Sequence, residues 1–445
     1  MESDQKKKIL WISDHPLVPS GVGTQSKYVI ENILELGKYK FLCFGGAIQH
    51  PDYRPQKIAP EKYGDDGWIV FPVNGYGDKN LLRQVLLTER PDAVVIFTDP
   101  RFFTWIWEME DELRSVCPLI YWHVWDNDPI PDFNKSYYES TDFISALSLK
   151  TYGLLQGLPH PRDRFNYIPH TVPPELFKPL PENEISDFKK VHLGPHSSRE
   201  FILFWNNRNA RRKQTGDVVA CFSKFVDLIG HGRASLMMHT NVSDPEGQDV
   251  LAVARKFGVA EDLIVSQERL SPEDLNRIYN MVDCTINISS NEGFGLGTLE
   301  SISAGTPIIV HMTGGLQFQI GDWWEGLRNF SDQDCLTKIA KDRWKSGLGR
   351  WCGIPVFSGT RSCTGGQQIP YIYDDKVNHD DVVKALRIIY GMGREKRKEL
   401  GAKAREWCLQ NFSFSKMISE WDLVLDTQIK VFKEKVHNNV RTQTL

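Results

Sequence analysis

The chain reads as an α/β protein of two doubly wound domains. Two observations carry this. From residue 8 short β-rich runs alternate with helical patterns, and after a proline-rich segment the alternation starts afresh without any sequence repeat. The first series runs "KILWIS", a helix over 23–36, "KFLCF", "GWIVFPV", a helix over 78–89, "DAVVIF", "PLIYWHV", "DFISA" and a helix over 147–156. "YIPHTVPPELFKPLPENE" resembles an interdomain linker. The second series runs "EFILFWN", a helix over 214–229, "ASLMMHT", a helix over 248–257, "DLIVS", a helix over 271–281, "CTINIS", a helix over 296–304 and "TPIIVHM". Residues 321–375, with little clear periodicity, read as an insertion packed on the second domain, and both a surface-loop role and a lid role are open. From 379 the tail is helical, and its lysines and arginines read as a solvated helix face.

Composition narrows the class without naming a function. At 445 residues there is material for two sizeable cores, and the apolar and charged fractions, 41% and 25%, are those of an ordinary globular protein. A formal charge of -4 gives no overall pull toward nucleic acid or anionic membrane. After the N-terminal lysines only four apolar residues follow, too few for a signal-peptide core, and no run approaches a membrane span. Eight dispersed cysteines without a Cys-x-x-Cys pair suit reduced thiols in the cytoplasm.

The stretch "NEGFGLGTLE", 291–300, sets Glu292 and Glu300 eight positions apart around three glycines, between a strand and a helix that Gly305 ends. A glycine loop opening into a helix binds anions, and a free carboxylate there would compete with phosphate. The glutamates should therefore face hydroxyls, which sugars supply in pairs. "FWNNRNARRKQTGD", 204–217, brings Arg208, Arg211, Arg212 and Lys213 to a strand end beside a helix start, a sensible pyrophosphate clamp. "SDHPLVPSGVGTQS" offers a further glycine loop at Gly21 and Gly23. Neither loop completes G-x-G-x-x-G, and no Walker A sequence occurs.

Together these residues resemble the retaining glycosyltransferases of the GT-B fold, specifically glycosyltransferase family 4. "EGFGLGTLESISAGTPII" is similar to that family's Glu, seven residues, Glu run over about twenty residues. "YIPHTVPPELFKP" and "MTGGLQ" resemble two further family segments, with Asn207 departing from the glycine usual before the arginine. The resemblance implies two Rossmann-like domains facing each other across a cleft. Residues 1–178 and about 415–445 would form an acceptor domain, and 179–414 a nucleotide-sugar domain. It implies that Glu292 and the backbone of Gly293, Phe294, Gly295 and Leu296 hold the transferred sugar. Glu300 would take the nucleotide ribose, Arg208 and Lys213 the donor diphosphate, and Gly21, Gly23, Gly314 and Gly315 would add to the donor site.

In the first domain "LIYWHVWDNDPIP" resembles the family strand ending in a histidine near the reacting centre, which nominates His123 as catalytic. Asp126 and Asp128 in "DND" imitate a metal-binding Asp-x-Asp, but a GT-B setting implies charge stabilisation by basic groups and dipoles, so no metal or cofactor is expected. The expectation is transfer from a nucleotide-diphosphate sugar, UDP-glucose or similar, to a hydroxyl acceptor. A glycan, a lipid-linked sugar, a small molecule and a hydroxylated DNA base are all open, with nucleic acid entering only as an acceptor. The alternatives are a non-catalytic sugar-nucleotide or glycan binding protein and another GT-B enzyme such as a nucleotide-sugar epimerase.

Overall fold

Two sheets, each with helices on both faces, organise the chain. The structure is a computed structural model and describes residues 6–158 and 161–443. Residues 1–5, 159, 160, 444 and 445, which fall within the expected first domain, lie outside the described residues.

The first sheet contains β1 (Lys7–Asp14), β2 (Tyr39–Gly46), β3 (Gln56–Lys57), β4 (Trp68–Pro72), β5 (Ala93–Phe97), β6 (Leu119–His123), β7 (Phe143–Ala146) and β8 (Phe165–Tyr167). Its order is β3-β4-β2-β1-β5-β6-β7-β8, parallel except for β3 against β4. The second sheet contains β9 (Phe201–Asn206), β10 (Ala234–His239), β11 (Leu263–Ser266), β12 (Cys284–Asn287), β13 (Ile308–His311) and β14 (Ile354–Val356), all parallel in the order β11-β10-β9-β12-β13-β14. Central strands such as "AVVIF" and, up to its closing Asn206, "FILFWN" are continuously apolar because helices cover both faces. In each sheet the order reverses once, between β1 and β5 and between β9 and β12, and loops at such reversals leave a crevice for ligands. The two glycine loops singled out above follow β1 and β12.

The segment 321–375 is less of an insertion than its sequence implies. It supplies the helix Gln333–Ser346 and β14, the sixth strand of the second sheet. At three residues, with a proline in its middle, β14 is too short to announce itself. What stands apart is an antiparallel hairpin, β15 (Ser358–Thr364) and β16 (Ile372–Val377).

Three closing helices, His379–Gly391, Gly393–Asn411 and Phe414–Gln443, complete the chain. The last packs on the first sheet, with Trp421 5.4 Å from Trp11 and 4.9 Å from Trp122, ring centre to ring centre. The helix Gly393–Asn411 fixes the helix that bears Glu300: the Arg405 guanidinium donates to the Ser303 carbonyl and, at 2.9 Å, to that of Phe177 in the linker. Gly401 in that helix is buried, and a Cβ there would overlap the Gly305 carbonyl. In an exposed helix Gly→Ala stabilises by about 1 kcal/mol. Here the sign should reverse, with Gly401→Ala lowering the urea midpoint by the equivalent of about 1–3 kcal/mol at unchanged m-value.

Candidate functional site

The site is built on backbone that tolerates no side chains. Gly295 has φ +91°, which places the turn from β12 into the helix Leu296–Ser303 in the left-handed region that favours glycine. Behind it lie Gly314 and Gly315. The Gly315 N–H donates to the Glu292 carbonyl at 2.8 Å, and a Cβ on either glycine would strike the carbonyl of Glu292 or Gly293. These two glycine stretches thus form one unit. Gln319 locks it from below, donating to the carbonyls of Phe294 at 2.6 Å and Gly295 at 3.0 Å while accepting from Thr298 at 2.7 Å. Sequence reasoning did not nominate Gln319, and no local pattern could, because its partners lie about 20 or more residues away.

The two glutamates occupy different environments. The Glu292 carboxylate meets the Lys213 ammonium directly and Arg212 at 3.3 Å. Burial, with the neighbouring Arg212 charge, pulls Lys213 well below its usual pKa, and the Asp126 carboxylate acts in the opposite sense. Glu300 is buried and accepts from the Tyr279 hydroxyl at 2.8 Å, which itself accepts from Asn206 at 2.9 Å. Burial pushes Glu300 up to about 7, and the Tyr279 hydrogen bond only partly offsets it. Tyr279 gave no sign in the sequence beyond its place in a helical pattern.

Of the nominated basic pair, the structure brings Lys213 to Glu292 but turns Arg208 outward. Arg208 is exposed and pairs with Asp244 at 2.8 Å and Glu246 at 3.4 Å. A 3-10 turn over Arg211–Lys213 sets Arg212, not Arg208, beside Lys213. The first domain abuts this unit. A Cβ on Gly21 would stand 3.4 Å from a Leu296 methyl, and one on Gly293 would lie 3.1 Å from the Val124 carbonyl oxygen and 4.0 Å from the Asp126 Cβ. Gly23 serves its own loop, since a Cβ there would sit 2.8 Å from the carbonyls of His15 and Val18.

His123 stands differently from its nomination. It is wholly buried, with Nε2 2.6 Å from the Tyr138 hydroxyl and the ring packed edge-on against Tyr121 and Tyr138, and burial lowers it to about 3. First-domain residues that meet the glycine loop include Val124, Leu147 and Asp126. His170, from the linker, also enters: it is 5% exposed, its ring lies 5.2 Å from Phe294 and 4.9 Å from Trp122, and neither ring nitrogen has a hydrogen-bond partner among the described residues.

The hairpin ties the two domains together at one end of the cleft. Asn127 donates to the Tyr373 carbonyl at 2.6 Å, and Tyr373 N–H to the Asp128 carbonyl at 3.0 Å. Asp128 is held by Arg361 at 2.8 Å and Lys150 at 3.2 Å. On the other side Asp375 N–H donates to the Ser290 carbonyl at 3.1 Å and Asn291 donates to Asp374 at 3.0 Å. The "DND" stretch is thus engaged by cations and backbone of this chain. Among the described residues no cluster of three or more His, Cys, Asp or Glu converges as a metal site would, and no helix is long and apolar enough to cross a membrane.

Comparison with known proteins shows what part of this arrangement is similar to a family, and what fold the whole chain shares. Residues 244–331 match the family described as glycosyl transferases group 1, a segment that includes Glu292, Glu300, Gly314 and Gly315. D-inositol 3-phosphate glycosyltransferase of Segniliparus rotundus is 27% identical over 111 residues, so that the match spans 25% of this chain and only 22% of that relative. Sucrose-phosphate synthase from Thermosynechococcus elongatus superposes with a TM-score of 0.69 at 14% identity, covering 96% of this chain and 100% of the other. HepE of Anabaena, solved in complex with UDP and glucose, superposes with a TM-score of 0.65 at 13% identity over 95% and 100% of the two chains. The chain thus has the GT-B fold, and its residues 244–331 are similar to the glycosyl transferases group 1.

Proposed function

We propose that the chain is a retaining glycosyltransferase that moves a sugar, glucose or a similar hexose, from a UDP-sugar to a hydroxyl acceptor. The observation that carries the reading is the meeting of Glu292 with Lys213 and Arg212 at the start of a helix whose second turn holds Glu300. That unit brings cations from the turn after β9 against a carboxylate and a helix N-terminus from the loop after β12, which is what a sugar joined to a diphosphate requires. The UDP and glucose held by the Anabaena neighbour support a UDP-linked donor.

In this reading Glu300 accepts from the ribose hydroxyls, and Glu292 with the backbone of Phe294 to Leu296 holds the transferred sugar. As the glycosidic bond breaks, negative charge grows on the departing diphosphate, where Lys213, Arg212 and the N–H groups opening the helix stabilise it. The diphosphate exchanges places with Glu292 as partner of Lys213. Its β-phosphate takes the acceptor proton on the same face, so no carboxylate acts as a covalent nucleophile. No metal enters the scheme, since Asp128 is committed to Arg361 and Lys150. Six of eight free cysteines are buried, and we place the reaction in the reducing cytoplasm.

Three outcomes test the reading. Ribose contacts are equal in ground and transition states, so Glu300→Ala should raise the donor KM about 10- to 150-fold, the value of a lost charge-assisted hydrogen bond, with kcat little changed. Glu292→Gln should instead lower kcat, while UDP binds as well as before or better because Lys213 is released. Steady-state kinetics with UDP titration separates the two, and a variant pair with equal, small effects would reduce both glutamates to surface residues. Activity should survive EDTA; its loss, restored by Mg²⁺ or Mn²⁺, overturns the metal-free scheme.

A further outcome concerns the ligand-free protein. Glu300 has a folded pKa near 7 against an ordinary 4.5, so the fold favours its neutral form. Stability from this group is fully present below about pH 4.5 and is lost as pH rises through 7, by about 3 kcal/mol in all. Urea titrations at pH 5 and pH 8 should show that loss in the wild type and not in Glu300→Gln.

A further inference from the structure

The loop that opens the helix Leu296–Ser303 contains a choice that its glycines leave open. Gly295, at φ +91°, accepts either orientation of the Phe294–Gly295 peptide, because a residue without a Cβ meets little steric resistance at positive or negative φ. One orientation turns the carbonyl toward the core and the N–H outward, and the other does the reverse. A contact from elsewhere in the chain must select between them.

Gln319 makes the selection. It ends the 3-10 turn Leu316–Gln319, wholly buried, and its Nε2 donates to the carbonyls of Phe294 at 2.6 Å and Gly295 at 3.0 Å. The Thr298 hydroxyl lies 2.7 Å from Oε1 and 2.8 Å from the Gly295 carbonyl. Turning the side-chain amide over would set Oε1 against two carbonyl oxygens, so the partners permit only this arrangement. Both peptides are trans, which sends the N–H groups of Gly295 and Leu296 away from Gln319, opposite the carbonyls it holds. Neither N–H has an acceptor among the described residues. They belong to successive residues, the first left-handed and the second helical, and such a pair forms a concavity for an anion. The Gly295 carbonyl also receives the Leu299 N–H at 3.3 Å, and a carbonyl so engaged polarises its peptide, which makes the Leu296 N–H a stronger donor.

Gln317 supplies the contrast. On the same turn and equally buried, it donates to the Gly314 carbonyl at 2.9 Å. The N–H of that peptide belongs to Gly315 and already donates to the Glu292 carbonyl at 2.8 Å. Gln317 therefore holds the glycine unit together without aiming a free donor, whereas Gln319 aims two.

We propose that Gln319 is a positioning residue for glycosyl transfer: through the peptides Phe294–Gly295 and Gly295–Leu296 it directs two N–H groups at the β-phosphate of the donor, the phosphate next to the transferred sugar. It touches no substrate itself. The inference rests on the glycosyl-transfer reading, in which the bond from the sugar carbon to the β-phosphate oxygen breaks and the electron pair stays with that oxygen. The two N–H groups meet the charge gained there.

Calorimetric titration of the full chain with UMP and with UDP isolates the β-phosphate, since the two ligands differ by it alone. In Gln319→Leu the advantage of UDP over UMP should shrink about tenfold or more, roughly the value of one hydrogen bond to a charged group, while UMP affinity is kept. Release of UDP from saturating UDP-glucose, measured without added acceptor, should slow by at least about tenfold, as for a misdirected oxyanion donor. Gln317→Leu should lower the urea midpoint as Gln319→Leu does and yet keep the UDP advantage. Thr298→Val, which removes the hydroxyl beside Oε1 at nearly constant volume, tests the same contact if Gln319→Leu does not fold: the UDP advantage should shrink, and Thr298→Ser should restore it. An undiminished advantage in Gln319→Leu and Thr298→Val, an equal loss in Gln317→Leu, or an unchanged rate of UDP release overturns the proposal. A wild type that binds UDP no better than UMP overturns instead the glycosyl-transfer reading beneath it.

Discussion

Everything at the site depends on the close approach of two backbone segments, residues 292–295 and 314–315. Main chain packs on main chain there, and side chains on either would force the segments apart. That contact fixes where the helix Leu296–Ser303 begins, and the helix in turn fixes Glu300 against Tyr279. The same loop presents Glu292 to Lys213 across the reversal between β9 and β12. A small set of positions without side chains thus governs the placement of both carboxylates.

The hairpin adds a constraint from outside the sheets. Its backbone pairs with the loop after β6 on one side and with Ser290 on the other, while Arg361 bridges Asp128 and Asp375. The contacts that join the domains include the linker bolted by Arg405, the last helix packed on the first sheet, and this hairpin at the cleft itself. Residues 124–128 are held from two directions, which sets Asp126 firmly against the glycine loop.

Much of this was readable in the sequence, and the limits have physical causes. The alternating runs disclosed both sheets because buried parallel strands are continuously apolar. The glycine loop between strand and helix nominated Glu292 and Glu300 through its resemblance to a family run, because that signal is local in the chain. What depended on distant contacts was not readable. The three-residue β14 has no pattern of its own, and Gln319, Tyr279 and the docking of the hairpin arise from partners far along the chain. Arg208 and Arg212 could not be ranked because a 3-10 turn, not a regular helix, decides which of them faces Glu292. His123 lies at its expected strand end, yet the enclosing Tyr138 comes from a separate segment.

The packing of Trp421 on Trp11 and Trp122 bears on how the protein is made. The first sheet is synthesised first, but its core lacks a tryptophan that emerges only some 250 residues after its last strand, β8. Contacts of such sequence separation form late, and domains fold as units while a chain leaves the ribosome. The N-terminal half must wait, with apolar surface open, while the second sheet is assembled from nearer partners. Translation order and completion order are thus reversed in this molecule, and shortening the last helix would strand a finished second domain beside an unfinished first.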